Sequence, residues 1–241
     1  MPVQLTAIGN VEAYSTISIR AQVAGELLDV HFQEGDFVNK GQLLFTIDPR
    51  PYDAALAQAQ AALARDKAVA ANSRAQAQRY LTLRGEGIVA ASEADTYTSA
   101  ADAADATVNA DEAAVKTAQL NLEYCKIYSP IDGRTGAVMV KPGNLVKVAD
   151  VPIVVINQVN PIFVNFTEPQ QYLSDIKRYM ATAPLRVQAT GPDSAAPEIG
   201  TLTFVDNAVD MTTGTIHLRA TFANESNRLW PGLFANTLMT L

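Results

Sequence analysis

The chain has 241 residues and a formal net charge of -7; hydrophobic residues make up 48% and aromatic residues only 7%. An acidic chain repels phosphate backbones, which argues against nucleic acid as a partner, and there is no uninterrupted apolar run of the roughly 18 residues that a membrane-spanning helix needs. The lone Cys125 rules out an intramolecular disulfide and reads as a small strand residue, and His31 and His217 have no ligand companions at metal-binding spacing, so neither a metal nor another cofactor is expected.

Taken in chain order, the first expected element is a strand over Val3–Ala7. An internal repeat follows. Residues 23–47 lie over 131–155 at a constant offset of 108 without a gap: Gly25 falls on Gly133, Val30 on Val138, Phe32 on Val140, Gly35 on Gly143, Val38 on Val146, Phe45 on Ile153 and Ile47 on Val155. Val30/Phe32 and Leu43/Phe45/Ile47 alternate as half-buried strands do, and so do Val138/Val140 and Val151/Ile153/Val155. Gly35-Asp36 and Gly143-Asn144 are turn dipeptides. Each half therefore reads as strand, tight turn, strand, and two such halves can pair about a pseudo-two-fold axis into a small sandwich.

About 75 residues separate the halves, and they read as two helices, Tyr52–Leu83 and Ser92–Glu123. Ala, Gln, Leu, Arg, Glu and Lys dominate them. Pro49-Arg50-Pro51 suits a first turn, Gly85-Glu86-Gly87 breaks the pattern, and Ser92 suits a second N-cap. Leu56, Leu63, Ala70 and Ala77 fall seven apart, as do Ala94, Ala101, Val108, Val115 and Leu122. Companion rows are Ala59, Asp66, Ser73, Tyr80 and Tyr97, Ala104, Asp111, Ala118, so an antiparallel coiled-coil hairpin is expected, its seam weakened at Asp66, Ser73 and Asp111. Arms of about 32 residues would each span roughly 48 Å. An alanine-rich hairpin buries little area by itself, which points to side-by-side packing of several copies.

Beyond Ile156 the expected elements are short strands at Ile162–Phe166, Leu185–Ala189, Ile199–Val205, Thr215–Phe222 and Leu233–Leu241. A helix over Gln170–Met180 is introduced by a capping-box pattern at Thr167. Such a series reads as a small β-barrel with one short helix. The fold class is thus mixed α and β and multidomain. Residues 1–15 start the barrel, 16–50 and 124–157 form the two sandwich halves, 51–123 form the hairpin, and 158–241 complete the barrel.

Val23-x-Gly25, Gly35-Asp36-x-Val38-x-x-Gly41 and Pro130-x-Asp132-Gly133 resemble the biotinyl/lipoyl domain as it occurs, split by a helical hairpin, in the periplasmic adaptor (membrane fusion, HlyD-like) family of tripartite efflux pumps. Asp210-x-x-Thr213-Gly214-Thr215, Arg219-Ala220 and Leu229-x-Pro231-Gly232 resemble that family's β-barrel, and Ile156–Ile162 favours the branch serving proton-driven, RND-type transporters. The resemblance implies a non-catalytic protein without a cofactor. It would link an inner-membrane RND-type transporter to a TolC-like outer-membrane channel and self-associate, as a hexamer in the pump. It also implies a periplasmic location and attachment to the inner membrane, by an anchor and a membrane-proximal domain that lie outside these residues. Family members that meet TolC-like channels place an Arg, a Leu and a Ser around the hairpin turn. Here Arg79 and Leu83 supply the first two. Alignment on Gly85 puts Ala90 where the Ser stands, and Ser92 lies two residues later.

Two alternatives remain open at this level. An adaptor for an ABC-type exporter or type I secretion system would share the architecture. A lipoyl or biotinyl carrier domain of a transfer enzyme would carry its cofactor on Lys67, in Asp66-Lys67-Ala68, although that tripeptide sits midway along a helical pattern. No nucleophile–base pair, phosphate loop or metal cluster supports an enzyme.

Overall fold

The computed structural model describes residues 4–192 and 196–241. Val3, the first residue of the first expected strand, lies outside them. The chain runs β1 (Gln4–Ile19), β2 (Gly25–Val30), β3 (Phe37–Val38), β4 (Leu43–Ile47), α1 (Arg50–Gly85), α2 (Ala91–Glu123), β5 (Lys126–Tyr128), β6 (Gly133–Thr135) and β7 (Leu145–Val146). It continues through β8 (Val154–Pro169), a 3-10 turn (Gln170–Tyr172), α3 (Leu173–Met180), β9 (Arg186–Thr190), β10 (Glu198–Asp210), β11 (Thr215–Phe222) and β12 (Phe234–Thr240).

The repeat read in the sequence is a two-fold relation in the structure. Gly25 pairs with Val146 across β2 and β7, and Gly133 pairs with Val38 across β6 and β3. The Leu27 amide donates to Asn144 O and the Thr135 amide to Asp36 O, each at 2.9 Å. Gly41 donates to Ser129 O and Ala149 to Ala21 O in the same way. Each of these pairs becomes the other when 108 is added to one partner and taken from the other. Backbone conformation repeats as well: Gly35 and Gly143 have φ of 87° and 85°, and Gly41 (81°) is matched by Ala149 (54°). Leu27, Val38, Phe45, Ile47, Val146 and Ile153 are among the residues that fill the space between the halves.

Ala149 is a non-glycine residue held in the left-handed region, where its Cβ crowds its own backbone. Replacing it by Gly should raise stability by roughly 0.5–1 kcal/mol, the relief of that strain exceeding the added entropy of the unfolded chain. Gly41→Ala at the related turn, where a Cβ would meet nothing within 4 Å, should lose a similar amount. Urea midpoints of the two variants would show opposite signs.

The second half departs from the expected pattern. Residues 138–140 are not a strand; β6 stops at Thr135, and the Val138 amide is taken by the Glu34 side chain at 2.7 Å. Val151 is exposed, and the buried residues are Ile153, Val154 and Ile156, because β8 here joins β1 as well as β6. In the first half Leu44 is buried beside Phe45 at a bulge in the β4–β5 pairing, which interrupts strict alternation.

β1, β12, β9, β10, β11 and β8 pair in that order, and β8 returns to β1, closing a barrel. Alternate residues of β11 (Ile216, Leu218, Ala220, Phe222) point inward and are buried. At about 1.5–3 kcal/mol per fully buried large side chain, this interior is a major source of stability. β1 and β8 are both 16 residues long. They pair from Gly9/Phe166 in the barrel to Ile19/Val154 in the sandwich, so a continuous two-stranded ribbon joins the two bodies. Arg134 of β6 adds a second tie: its guanidinium lies over Phe37 of the sandwich and, at 4.7 Å, over Trp230 of the barrel.

The expected capping box at Thr167 does not form. Thr167 pairs with His217 inside β8, and the 3-10 turn opens after Pro169 with no side-chain cap. Cys125 is buried in the turn between α2 and β5 rather than in a strand.

Candidate functional site at the hairpin tip

The helices extend for 36 and 33 residues, about 50 Å each. Their register is fixed by cross-arm pairs: Lys67–Glu112 at 2.8 Å, Arg74–Asp105 at 2.7 Å and Arg84–Asp95 at 3.1 Å. Exposed ion pairs of this kind contribute only about 0.2–1 kcal/mol each, so they select the register more than they stabilise it. Ala70, Ala77, Ala94, Ala101 and Val108, all in the expected seven-residue rows, form the buried part of the seam. In the companion rows Tyr80 stacks on Tyr97 with ring centroids 3.8 Å apart.

Two heptads from that stack, towards the base, Asp66 meets Asp111. Loss of hydration in the seam, and then the neighbouring Asp66, push the Asp111 carboxyl up. The bond from Arg65 holds Asp66 down, so Asp111 is the member that retains a proton more readily. This is the weak layer that the sequence pattern implied. Lys67 sits beside it in mid-helix, paired with Glu112.

At the tip, α1 ends in a Schellman motif. The Ile88 amide donates to Leu83 O at 2.9 Å, the Gly87 amide donates to Arg84 O at 3.0 Å, and Gly87 has φ of 75°. Glycine is required there, and Gly85 is simply the last helical residue. Arg79 is exposed and Leu83 half-buried, one turn apart on the same face of α1. Ala90 is the N-cap of α2, with φ of -68° and ψ of 150°, and no side-chain cap is present. Ser92, expected as that cap, lies instead in the first turn and is exposed. Among the described residues, no side-chain hydrogen bond joins Ala90 or Ser92 to Arg79 or Leu83. The structure adds Ile88, 65% exposed at the apex. Its signal in the sequence was an apolar residue directly after the turn glycine.

The backbone at Ala90 already has the extended conformation of a capping residue, and Glu93 stands at the third helical position. Ala90→Ser would complete a capping box with Glu93 and should stabilise the tip by about 1 kcal/mol. Slower exchange of the Ser92 and Glu93 amides would report it.

The comparisons agree with this geometry. Residues 15–158 match the family model described as the RND MFP barrel-sandwich hybrid domain, and residues 161–241 match the RND MFP beta-barrel domain. The chain belongs to the RND membrane fusion protein family. It is 40% identical over its whole length to the multidrug resistance protein MdtA of Cronobacter turicensis, spanning 59% of that protein. It is also 40% identical to MdtA of Escherichia coli over 99% of the chain and 58% of the relative. Among solved structures, a MacA–MexA chimera carrying the Pseudomonas aeruginosa MexA α-hairpin superposes with a TM-score of 0.70 at 26% identity, covering 100% of this chain and 81% of that one. MacA from Actinobacillus actinomycetemcomitans shares the fold, with a TM-score of 0.72 at 22% identity over 100% of this chain and 79% of that one.

Proposed function

We propose that the chain is the body of a periplasmic adaptor subunit, a non-catalytic coupler between an inner-membrane RND-type transporter and a TolC-like outer-membrane channel. The observation that carries this reading is the two-fold sandwich interrupted by a rigid hairpin of about 50 Å, long enough to place two binding ends far apart. The sandwich (16–50 and 124–157) and the barrel (1–15 and 158–241) face the transporter. Arg79, Leu83 and Ile88 at the tip face the channel, with Ala90 or Ser92 on the other arm. Copies pack side by side through the alanine-rich outer faces of the hairpins, six to a pump, around a conduit. The relatives named for multidrug resistance support small, chemically varied molecules as the cargo.

The matching RND family models favour this over an ABC-type or type I secretion adaptor. Lys67 in mid-helix, paired with Glu112, speaks against a carrier domain; a lipoyl or biotinyl adduct on Lys67 in cells would reverse that. The direct test is affinity purification of the full-length protein from membranes, followed by identification of its partners. An RND transporter and an outer-membrane channel are expected. Recovery of an ABC exporter would move the protein to the other branch.

A further inference from the structure

The inward row of β8 reads Ile162, Val164, Phe166, Glu168. The first three are buried hydrophobics of the barrel interior, and the fourth is a carboxylic acid only 3% exposed. Among the described residues Glu168 is the only acidic or basic side chain that is buried, and its Oε1 is sealed from solvent without a hydrogen-bond donor. Its partner across the ladder is Ile216, also buried. Directly after it the chain turns at Pro169 into the 3-10 turn and α3. Ile176 of α3 is fully buried in the barrel core, with Tyr172, Leu173 and Met180 packed against it. Glu168 thus lies where the barrel interior meets the short helical plug across its end.

The titratable groups of the surrounding elements are engaged elsewhere or point outward. On α3, Asp175 and Arg178 pair at 2.9 Å and Lys177 is exposed. On β11, His217 is exposed, and Arg219 is held by Asn165 at 2.8 Å over Phe163. On β1, Glu12 accepts from Asn165. Glu198 of β10 accepts from Ser226, Asp206 from the Asn207 amide and Asp210 from the Thr212 amide. Arg186 of β9 is exposed, and β12 has no charged residue. Tyr172 is half-buried beside the core. Among the described residues no donor replaces the water lost by Glu168 Oε1, and burial pushes the carboxyl up to about 7.

We propose that Glu168 is a proton-operated latch for the helical plug: neutral, it stays in the barrel and α3 closes over it; ionised, it is drawn towards water and α3 lifts. The proton leaves to bulk solvent, so no co-reactant is required. The latch does not depend on the adaptor reading. In a periplasmic protein it would tie exposure of this end of the barrel to the pH outside the inner membrane.

The test is amide hydrogen exchange of residues 173–181 in the full chain between pH 5.5 and 8.5, corrected for the intrinsic rate at each pH. Moving a carboxyl from an ordinary value to about 7 on closure predicts a loss of protection of about thirtyfold across that range. Glu168→Gln, permanently neutral, should hold its protection constant. Constant protection in the wild type, or the same loss in Glu168→Gln, would overturn the latch. Should the variant misfold, a ¹³C titration of the Glu168 carboxyl in the wild type decides: a midpoint near 7 supports the latch, and one in the ordinary carboxylate range sinks it.

Discussion

Leu83→Ser, or reversal of charge by Arg79→Glu, should abolish efflux while leaving the fold intact. Both side chains lie in the last two turns of α1, on the tip side of its buried Ala70 and Ala77. Arg79 is exposed and makes no ion pair or side-chain hydrogen bond among the described residues, so reversing its charge should shift stability by no more than about 0.5 kcal/mol. Leu83 is half-buried, and its contribution to the Schellman motif is made by its backbone carbonyl, which Ser retains. An end-on contact, by contrast, is small, and an apolar or cationic anchor within it carries much of the binding energy. Drug susceptibility of a strain lacking its own adaptor, complemented with each full-length variant, reads the effect, and thermal melts of the same proteins check the fold. Full resistance with both variants would remove the tip assignment and leave the architecture standing.

Gly133→Ala should be the most damaging small change in the sandwich, costing on the order of 3 kcal/mol or more. A Cβ there would stand 2.7 Å from Asn157 O and 3.0 Å from both Asn157 C and Ile156 Cγ2. Most of that obstacle is backbone. Asn157 is locked between Thr16 of β1 and Arg134 of β6, so the strand has no direction in which to yield. The two-fold relative Gly25 offers a control, since the one close neighbour of its Cβ would be the side-chain atom Ile47 Cγ2 at 2.6 Å, with the Asp48 backbone oxygen at an ordinary 4.0 Å. Gly25→Ala should therefore cost less, through a shift of Ile47. Equal urea midpoints for wild type and Gly133→Ala would contradict the packing described around β6 and β8.

The parts of this fold that were legible in the sequence are those written as periodicity. The offset of 108 survives as paired hydrogen bonds because each half solves the same turn with the same glycines. The heptad rows survive because small residues at Ala70, Ala77 and Ala101 let the helices approach. Features set by distant partners were not legible. β1 was read only as far as Ala7, yet it runs to Ile19 because β8 and β12 supply its ladder. β1 and β8 run unbroken from the barrel into the sandwich, through the divisions placed after residues 15 and 157. Thr167 matched a capping box, but pairing with His217 keeps it in the strand. That misreading ended the strand at Phe166 and hid Glu168, although the alternation from Ile162 already pointed its carboxyl inward. At the tip, Arg79 and Leu83 were singled out by the family resemblance around the hairpin turn, not by any local pattern of their own. Ala90 could not be recognised as the cap, since nothing in an alanine announces one.

On the proposed function, the two ends of this molecule serve two different partners. Photo-cross-linking of the full-length protein in cells tests it most directly. One probe goes at Ile88 on the hairpin apex, and a second at Met211, 97% exposed on the β10–β11 turn at the opposite end of the barrel. An outer-membrane channel captured from Ile88 and an inner-membrane transporter captured from Met211 is the predicted result. Capture of the same partner from both positions, or of the transporter from the tip, would contradict it.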